Sequence, residues 1–175
     1  LFILEDGATL KNVIIGEAAG DGIHCKGSCT LENVWWINVG EDAATFKGTK
    51  ASQVMTINCA GAKGASDKVF QHNGPGTMVI KNVWLDDFGK AYRSCGNCST
   101  QYQRNVVFSN ITATSGKSSI AGINSNYKDT AKFWNVNAGS LTLCQKYIGN
   151  DTGDEPSKDN ATMDGTYCIK LNAEP

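Results

Sequence analysis

No run of apolar residues in this 175-residue chain approaches the ~18 needed to cross a bilayer as a helix. No leader is recognisable ahead of LFILEDGATL, which already reads as a strand. Net charge is missing too: 16 basic against 17 acidic residues leave −1, so no global field draws the chain to nucleic acid or an anionic membrane, and neither is expected as a partner. Only three prolines occur, which leaves no polyproline linker. No stretch shows capped helical periodicity. What remains is one domain, 1–175, with a hydrophobic fraction of 41%, low for a globular protein but far from disordered.

Glycine and cysteine are plentiful instead. Nineteen glycines suit many tight turns. Seven cysteines, at 25, 29, 59, 95, 98, 144 and 168, are dense for a reducing compartment and point to an oxidising one. The odd count leaves one thiol over. Sequons at Asn97, Asn110, Asn150 and Asn160 fit secretion but recur often by chance.

The fold is read from a repeat. ATLKNVII (8–15), CTLENVWWINV (29–39), SQVMTINCA (52–60), GTMVIKNVWLDDF (76–88), RNVVFSNITAT (104–114) and AKFWNVNA (131–138) are alike. Each carries an asparagine, at 12, 33, 58, 82, 110 and 135, with spacings of 21, 25, 24, 28 and 25 residues. Strands and turns repeating at this period predict an all-β, single-stranded, right-handed parallel β-helix with coils of roughly 20–28 residues. Residues one coil apart then stack at the ~4.8 Å strand spacing, and the asparagines can form a ladder. An antiparallel sandwich would place turn signals every ~8–12 residues. It would leave the longer repeat unexplained.

Stacking gathers charge. Asp21 lies 20 residues before Glu41, and Asp42 lies 25 before Asp67, so four carboxylates are expected on three successive coils. Lys68, Lys90 and Arg93 are similarly spaced. Carboxylates without histidine or thiolate partners suit a hard cation such as Ca²⁺. From spacing alone, charged turn residues that merely solvate the surface are the simpler reading.

The local sequences decide further. GDGIHC (20–25), WWINVGEDAATFKG (35–48), SDKVFQHNGPG (66–76) and DDFGKAYRSCGNC (86–98) resemble the pectate lyases of polysaccharide lyase family three, along nearly the whole chain. The resemblance implies a secreted, monomeric, calcium-dependent enzyme that cleaves α-1,4-linked polygalacturonate, the pectin backbone of plant cell walls, by β-elimination. It implies Asp21, Glu41, Asp42 and Asp67 as calcium ligands, and Lys68, Lys90 and Arg93 as the basic residues of the cleft. Lys68 is the preferred base, with Arg93 as carboxylate clamp and the reverse assignment open. His72 is expected near the substrate, and His24 beside the calcium site. Family members carry a further N-terminal stretch, so the chain is expected to lack one, which offers a home for the odd cysteine's partner. Cys95–Cys98 reads as a small disulfide loop, with Cys25–Cys29 and Cys144–Cys168 by analogy and Cys59 unpaired; sequence alone leaves connectivity open.

Two rivals are weighed. A β-helix hydrolase needs paired carboxylic acids. Asp86-Asp87 is the tempting pair, but neighbours on a strand face opposite ways. A catalytically silent pectin-binding solenoid needs charges but no base. Of Trp35-Trp36, alternation sends one ring inside. The polar stretch after Gly149 is expected on the surface, capping the solenoid's end and carrying no chemistry.

Overall fold

The computed structural model describes residues 2–17, 20 and 22–175. Twelve strands form a parallel β-solenoid of about six turns. They are β1 (Phe2–Leu4), β2 (Ala8–Ile15), β3 (Ile23–Cys25), β4 (Cys29–Trp36), β5 (Ala44–Phe46), β6 (Val54–His72), β7 (Gly76–Ser94), β8 (Arg104–Asn124), β9 (Thr130–Asn137), β10 (Thr142–Ile148), β11 (Ser157–Lys158) and β12 (Cys168–Lys170). Among the described residues the one helical element is a 3₁₀ turn at Ser125–Tyr127. Every strand pairing is parallel except β10 with β11.

Register shows why the chain coils. Ala8 pairs with Cys29, Cys29 with Met55, Met55 with Met78, Met78 with Val106 and Val106 with Ala131, which are steps of 21, 26, 23, 28 and 25 residues. Inward rows are apolar throughout: Leu10, Leu31, Ile57, Ile80, Phe108 and Phe133 stack in register. All but Leu10 are buried. Phe108 and Phe133 lie face to face, centroids 5.2 Å apart. Each such side chain contributes on the order of 1.5–3 kcal/mol by leaving water.

The long strands β6, β7 and β8 turn corners without loops, each on single residues of positive φ. One corner row is Asn12, Asn33, Cys59, Asn82, Asn110 and Asn135, with φ between 48° and 58°. Asparagine tolerates this region better than other side-chain residues. A second row is Gly64, Asp87 and Ser115. Between the two corners lies a short face of each coil. Beyond the second lies the face bearing Lys68 and Lys90.

The asparagine ladder is real but differs in one rung. Asn33 Nδ2 donates to Asn12 Oδ1 (3.0 Å), Asn110 to Asn82 (3.1 Å) and Asn135 to Asn110 (2.6 Å). The expected rung at Asn58 is one residue early, because Glu32 pairs with Asn58 and the next position holds Cys59. Asn58 instead accepts from Asn82 Nδ2 at 2.8 Å from beside the corner. Cys59→Asn therefore completes the corner row. It is expected to raise stability by about 0.5–1 kcal/mol, read as a higher denaturation midpoint at unchanged m-value.

The cysteines pair as anticipated: Cys25–Cys29, Cys95–Cys98 and Cys144–Cys168, with Cys59 free and exposed. Cys144–Cys168 ties β10 to β12, which pairs with β9, while β11 covers β10. The C-terminal stretch thus shields strand edges at that end.

Candidate active site

Lys68 follows an irregularity in β6. Ala65 pairs with Phe88 but Lys68 pairs with Lys90, so β6 holds one extra residue at this corner. Such bulges re-aim side chains. The extra residue carries Asp67 outward, its side chain 59% exposed. Gly89 is required opposite, because any Cβ there would run into the Asp67 backbone carbonyl.

The result is a compact charge cluster. Lys68 Nζ lies 2.9 Å from Asp67 Oδ2 and 3.3 Å from Asp42 Oδ1, and Lys90 Nζ lies 3.3 Å from Asp67 Oδ1. Burial pulls the Lys68 pKa down, but Asp67 and Asp42 outweigh it and the net shift is upward. Burial likewise opposes the two lysines at Asp67, where the lysines win and the carboxyl falls below its ordinary value. At Asp42 burial wins over Lys68, and the carboxyl rises. Asp42 Oδ1 is buried, with no donor aligned on it as a hydrogen bond.

Arg93 sits three residues past Lys90 on β7, paired with Gln71 and Gly122. Its Nη1 donates to Asn124 Oδ1 (2.9 Å) and reaches the Gly122 carbonyl (3.4 Å), and its guanidinium lies 4.1 Å from the Tyr147 ring centre. Gly122 leaves the room: a Cβ there would stand 2.8 Å from Arg93 Cδ. Burial lowers the guanidinium pKa. Lys68, Lys90, Arg93 and Asp67 all line one cleft of about 570 Å³, with Gln71, Tyr147, Glu155 and Lys158.

The carboxylates fit a hard cation in part. A buried, unaligned Asp42 oxygen beside the exposed Asp67 carboxylate offers the oxygen donors that Ca²⁺ takes. Glu41 is exposed on the residue before Asp42. Among the described residues no three candidate ligands converge. Asp21, the remaining expected ligand, lies outside the described residues.

A profile of the pectate lyase family matches residues 1–154. The chain belongs to that family. It is 47% identical over 168 residues to the probable pectate lyase E of Neosartorya fischeri, and 47% over 171 residues to pectate lyase H of Emericella nidulans. These alignments take in 96% and 97% of the chain but 65% of each relative, so the chain spans about two thirds of their length. Among solved structures, pectate lyase Pel3 from Pectobacterium carotovorum superposes with a TM-score of 0.79 at 32% identity, covering 97% of this chain and 56% of that one. Pectate lyase PelI from Erwinia chrysanthemi, in complex with tetragalacturonic acid, gives 0.75 at 32%, covering 95% and 71%.

Within this pectate lyase family chain several expectations shift. His72 does not reach the cleft: it is fully buried, its Nδ1 2.8 Å from the Tyr92 hydroxyl and its ring against Phe46. It belongs to the inward row of its strand, which the apparent turn QHNG concealed. Burial, with Arg104 nearby, pushes its pKa from 6.5 down to about 3. The unfolded chain therefore takes up a proton that the folded chain refuses. Stability from this group is intact above pH 6.5 and is lost as pH falls toward 3, at up to about 1.4 kcal/mol per pH unit. His72→Gln should flatten that acid limb in denaturant titrations run at successive pH values.

His24 Nδ1 meets Lys47 Nζ at 3.0 Å. Asp86 and Asp87 form no acid pair. Asp87 is a corner residue with φ 51°, bound to Lys117 at 2.8 Å, while Asp86 faces Lys63 at 3.6 Å and Thr114. The C-terminal stretch requires a correction as well: Glu155, Pro156 and Lys158 line the cleft. Its anchor is the buried Lys146, paired with Asp164, which also accepts the backbone N–H groups of Thr166, Tyr167 and Cys168. Tyr147 and Asn124 were also missed, since neither carries a motif.

Proposed function

We propose that this chain carries the catalytic cleft of a secreted, monomeric pectate lyase that cleaves α-1,4-linked polygalacturonate by β-elimination, with Ca²⁺ held by Asp42, Asp67, Glu41 and Asp21. The observation that carries this reading is the meeting of Lys68, Lys90 and Arg93 with Asp67 in one cleft, beside the buried Asp42. A polyuronate presents one carboxylate per sugar, which suits a cleft of three cations. Three disulfides support an oxidising, extracellular setting.

When bound, Ca²⁺ supplies positive charge that stabilises the substrate carboxylate as negative charge develops at C5. The base is then Arg93 rather than Lys68. Two carboxylates raise the Lys68 pKa and keep it charged, whereas burial lowers that of Arg93. Neutral Arg93 removes the C5 proton, the freed pair forms the C4–C5 double bond, and the C4–O bond breaks to release a new reducing end. Lys68 and Lys90 hold substrate carboxylates, and Lys158, which makes no ion pair, adds a cation at the cleft's far wall. Because the base must lose a proton from a guanidinium, the rate rises toward alkaline pH.

The test is ultraviolet absorbance of the unsaturated product from polygalacturonate at alkaline pH, with calcium and then with chelator. Absorbance that rises with calcium and stops with chelator supports the reading. New reducing ends without absorbance would mean hydrolysis, and no product from a folded protein would mean a silent binding solenoid; either overturns it.

A further inference from the structure

A second row of the solenoid has no part in the cleft. On the short face between the two corner rows, Ile14 pairs with Trp35, Trp35 with Gly61, Gly61 with Trp84 and Trp84 with Thr112. Ile14 is 74% exposed, and Trp35 and Trp84 are each 39% exposed. The two tryptophans are two coils apart, a Cα separation of ~9.6 Å at the ordinary strand spacing. Gly61, the rung between them, has no side chain, and the Trp35 ring lies over it where a Cβ would stand.

The platform is pre-set. Trp35 Nε1 donates to Asn33 Oδ1 at 2.8 Å. That oxygen faces the one ladder position occupied by Cys59 instead of asparagine, so no amide from the next coil takes it. The break in the ladder and the fixing of the ring are thus one feature. Trp35, Trp84, Cys59, Ala60, Asn82 and Asn110 line a shallow groove that carries no charged side chain. At its border Asp86 and Lys63 face each other.

We propose that this face is a second glycan-binding site, for an uncharged, extended β-1,4-linked pyranose chain lying along the solenoid axis. Sugar rings present flat C–H faces that pack on indole, and the flanking amides can bond equatorial hydroxyls. Two such rings two strand spacings apart match alternate sugars of an extended chain. The groove's lack of cations selects against polyuronate, which would lose its counter-charge there, so the ligand differs from that of the cleft. The site would hold the protein on neutral polysaccharide while the cleft works on acidic chains. It stands whether or not the cleft's proposed chemistry does.

The experiment titrates cellohexaose into the protein by calorimetry, and follows alkylation of Cys59, the one free thiol, by a fluorescent maleimide. Binding is expected, with each of Trp35→Ala and Trp84→Ala weakening it by roughly tenfold. Cellohexaose should slow the alkylation, and hexagalacturonate should not. Both variants should keep the wild-type response to polygalacturonate in the absorbance assay, which separates this site from the cleft. No binding by the wild-type protein, equal binding by both variants, or equal protection by hexagalacturonate overturns the proposal. So does a concentration-dependent dimer in sedimentation that either substitution abolishes, since the face would then serve a second copy of the chain.

Discussion

Arg93→Ala is expected to lower kcat on polygalacturonate by at least about two orders of magnitude, the usual share of a positioned general base, while leaving the fold intact. Arg93 is buried, yet its hydrogen bonds run to one side-chain amide and one carbonyl at the edge of the cleft, so its removal opens space toward solvent rather than within the core. Arg93→Lys tests the same assignment more sharply. A lysine keeps the charge but loses the planar fork and the stacking on Tyr147. If Arg93 only clamped a carboxylate, lysine would recover most of kcat and the loss would fall on KM. If it is the base, kcat stays low and its pH profile changes. Gly122→Ala offers a third arm, because the added methyl meets Arg93 Cδ and the Tyr147 ring. It should lower kcat without touching any charged group. Full activity in Arg93→Ala would remove Arg93 from the chemistry and return the role of base to Lys68.

The coil period was legible in the sequence because one residue type marks one corner. Asn12, Asn33, Asn82, Asn110 and Asn135 all take positive φ, and few side chains do so readily. The marker failed only where Cys59 fills the corner and Asn58, beside it, imitates the repeat. Trp35 and Trp36 were separated correctly because strand alternation is strict, and Trp36 is buried. In the cleft, Lys68 and Lys90 could be paired by counting, since they sit on adjoining rungs of one period. Asp42 aligns with Lys68 rather than with Asp67, because the one-residue bulge between Ala65 and Lys68 is invisible to counting. Tyr147, Lys158 and Glu155 were illegible for another reason. They come from the end of the chain, which folds back by the Cys144–Cys168 bridge and the Lys146–Asp164 pair, and no repeat predicts such a return. His72 looked like a turn residue because Asn73-Gly74 follows it, yet strand β6 runs on through it and turns its ring inward.

The largest expected loss of stability comes from Arg104, which no reading of the sequence singled out. Arg104 opens β8 and is fully buried. Its Nη2 and Nε donate to the Asn73 carbonyl at 2.6 and 3.1 Å, and its Nη1 donates to Gln101 Oε1 at 2.7 Å. The same Nη1 reaches the carbonyls of Cys95 and Tyr102, both at 3.4 Å. One guanidinium thus satisfies the turn after β6 and the long connection between β7 and β8, neither of which has a strand partner to do so. Asp129, also buried, accepts the backbone N–H of Arg104 (2.8 Å) and of Asn124 (2.9 Å) and balances the charge. Arg104→Met keeps much of the volume but orphans those carbonyls and leaves Asp129 without its countercharge. Removing one member of a buried charged network costs about 3–5 kcal/mol, so the denaturation midpoint should fall steeply at pH 7. Arg104→Lys, which restores charge but not the fork, should recover only part of the loss. Arg104→Met with Asp129→Asn should be less destabilised than the sum of the two single changes, because the second substitution removes the unbalanced carboxylate. A loss below about 1 kcal/mol in Arg104→Met would mean that water satisfies these carbonyls, and that the connection between β7 and β8 is held by Cys95–Cys98 instead.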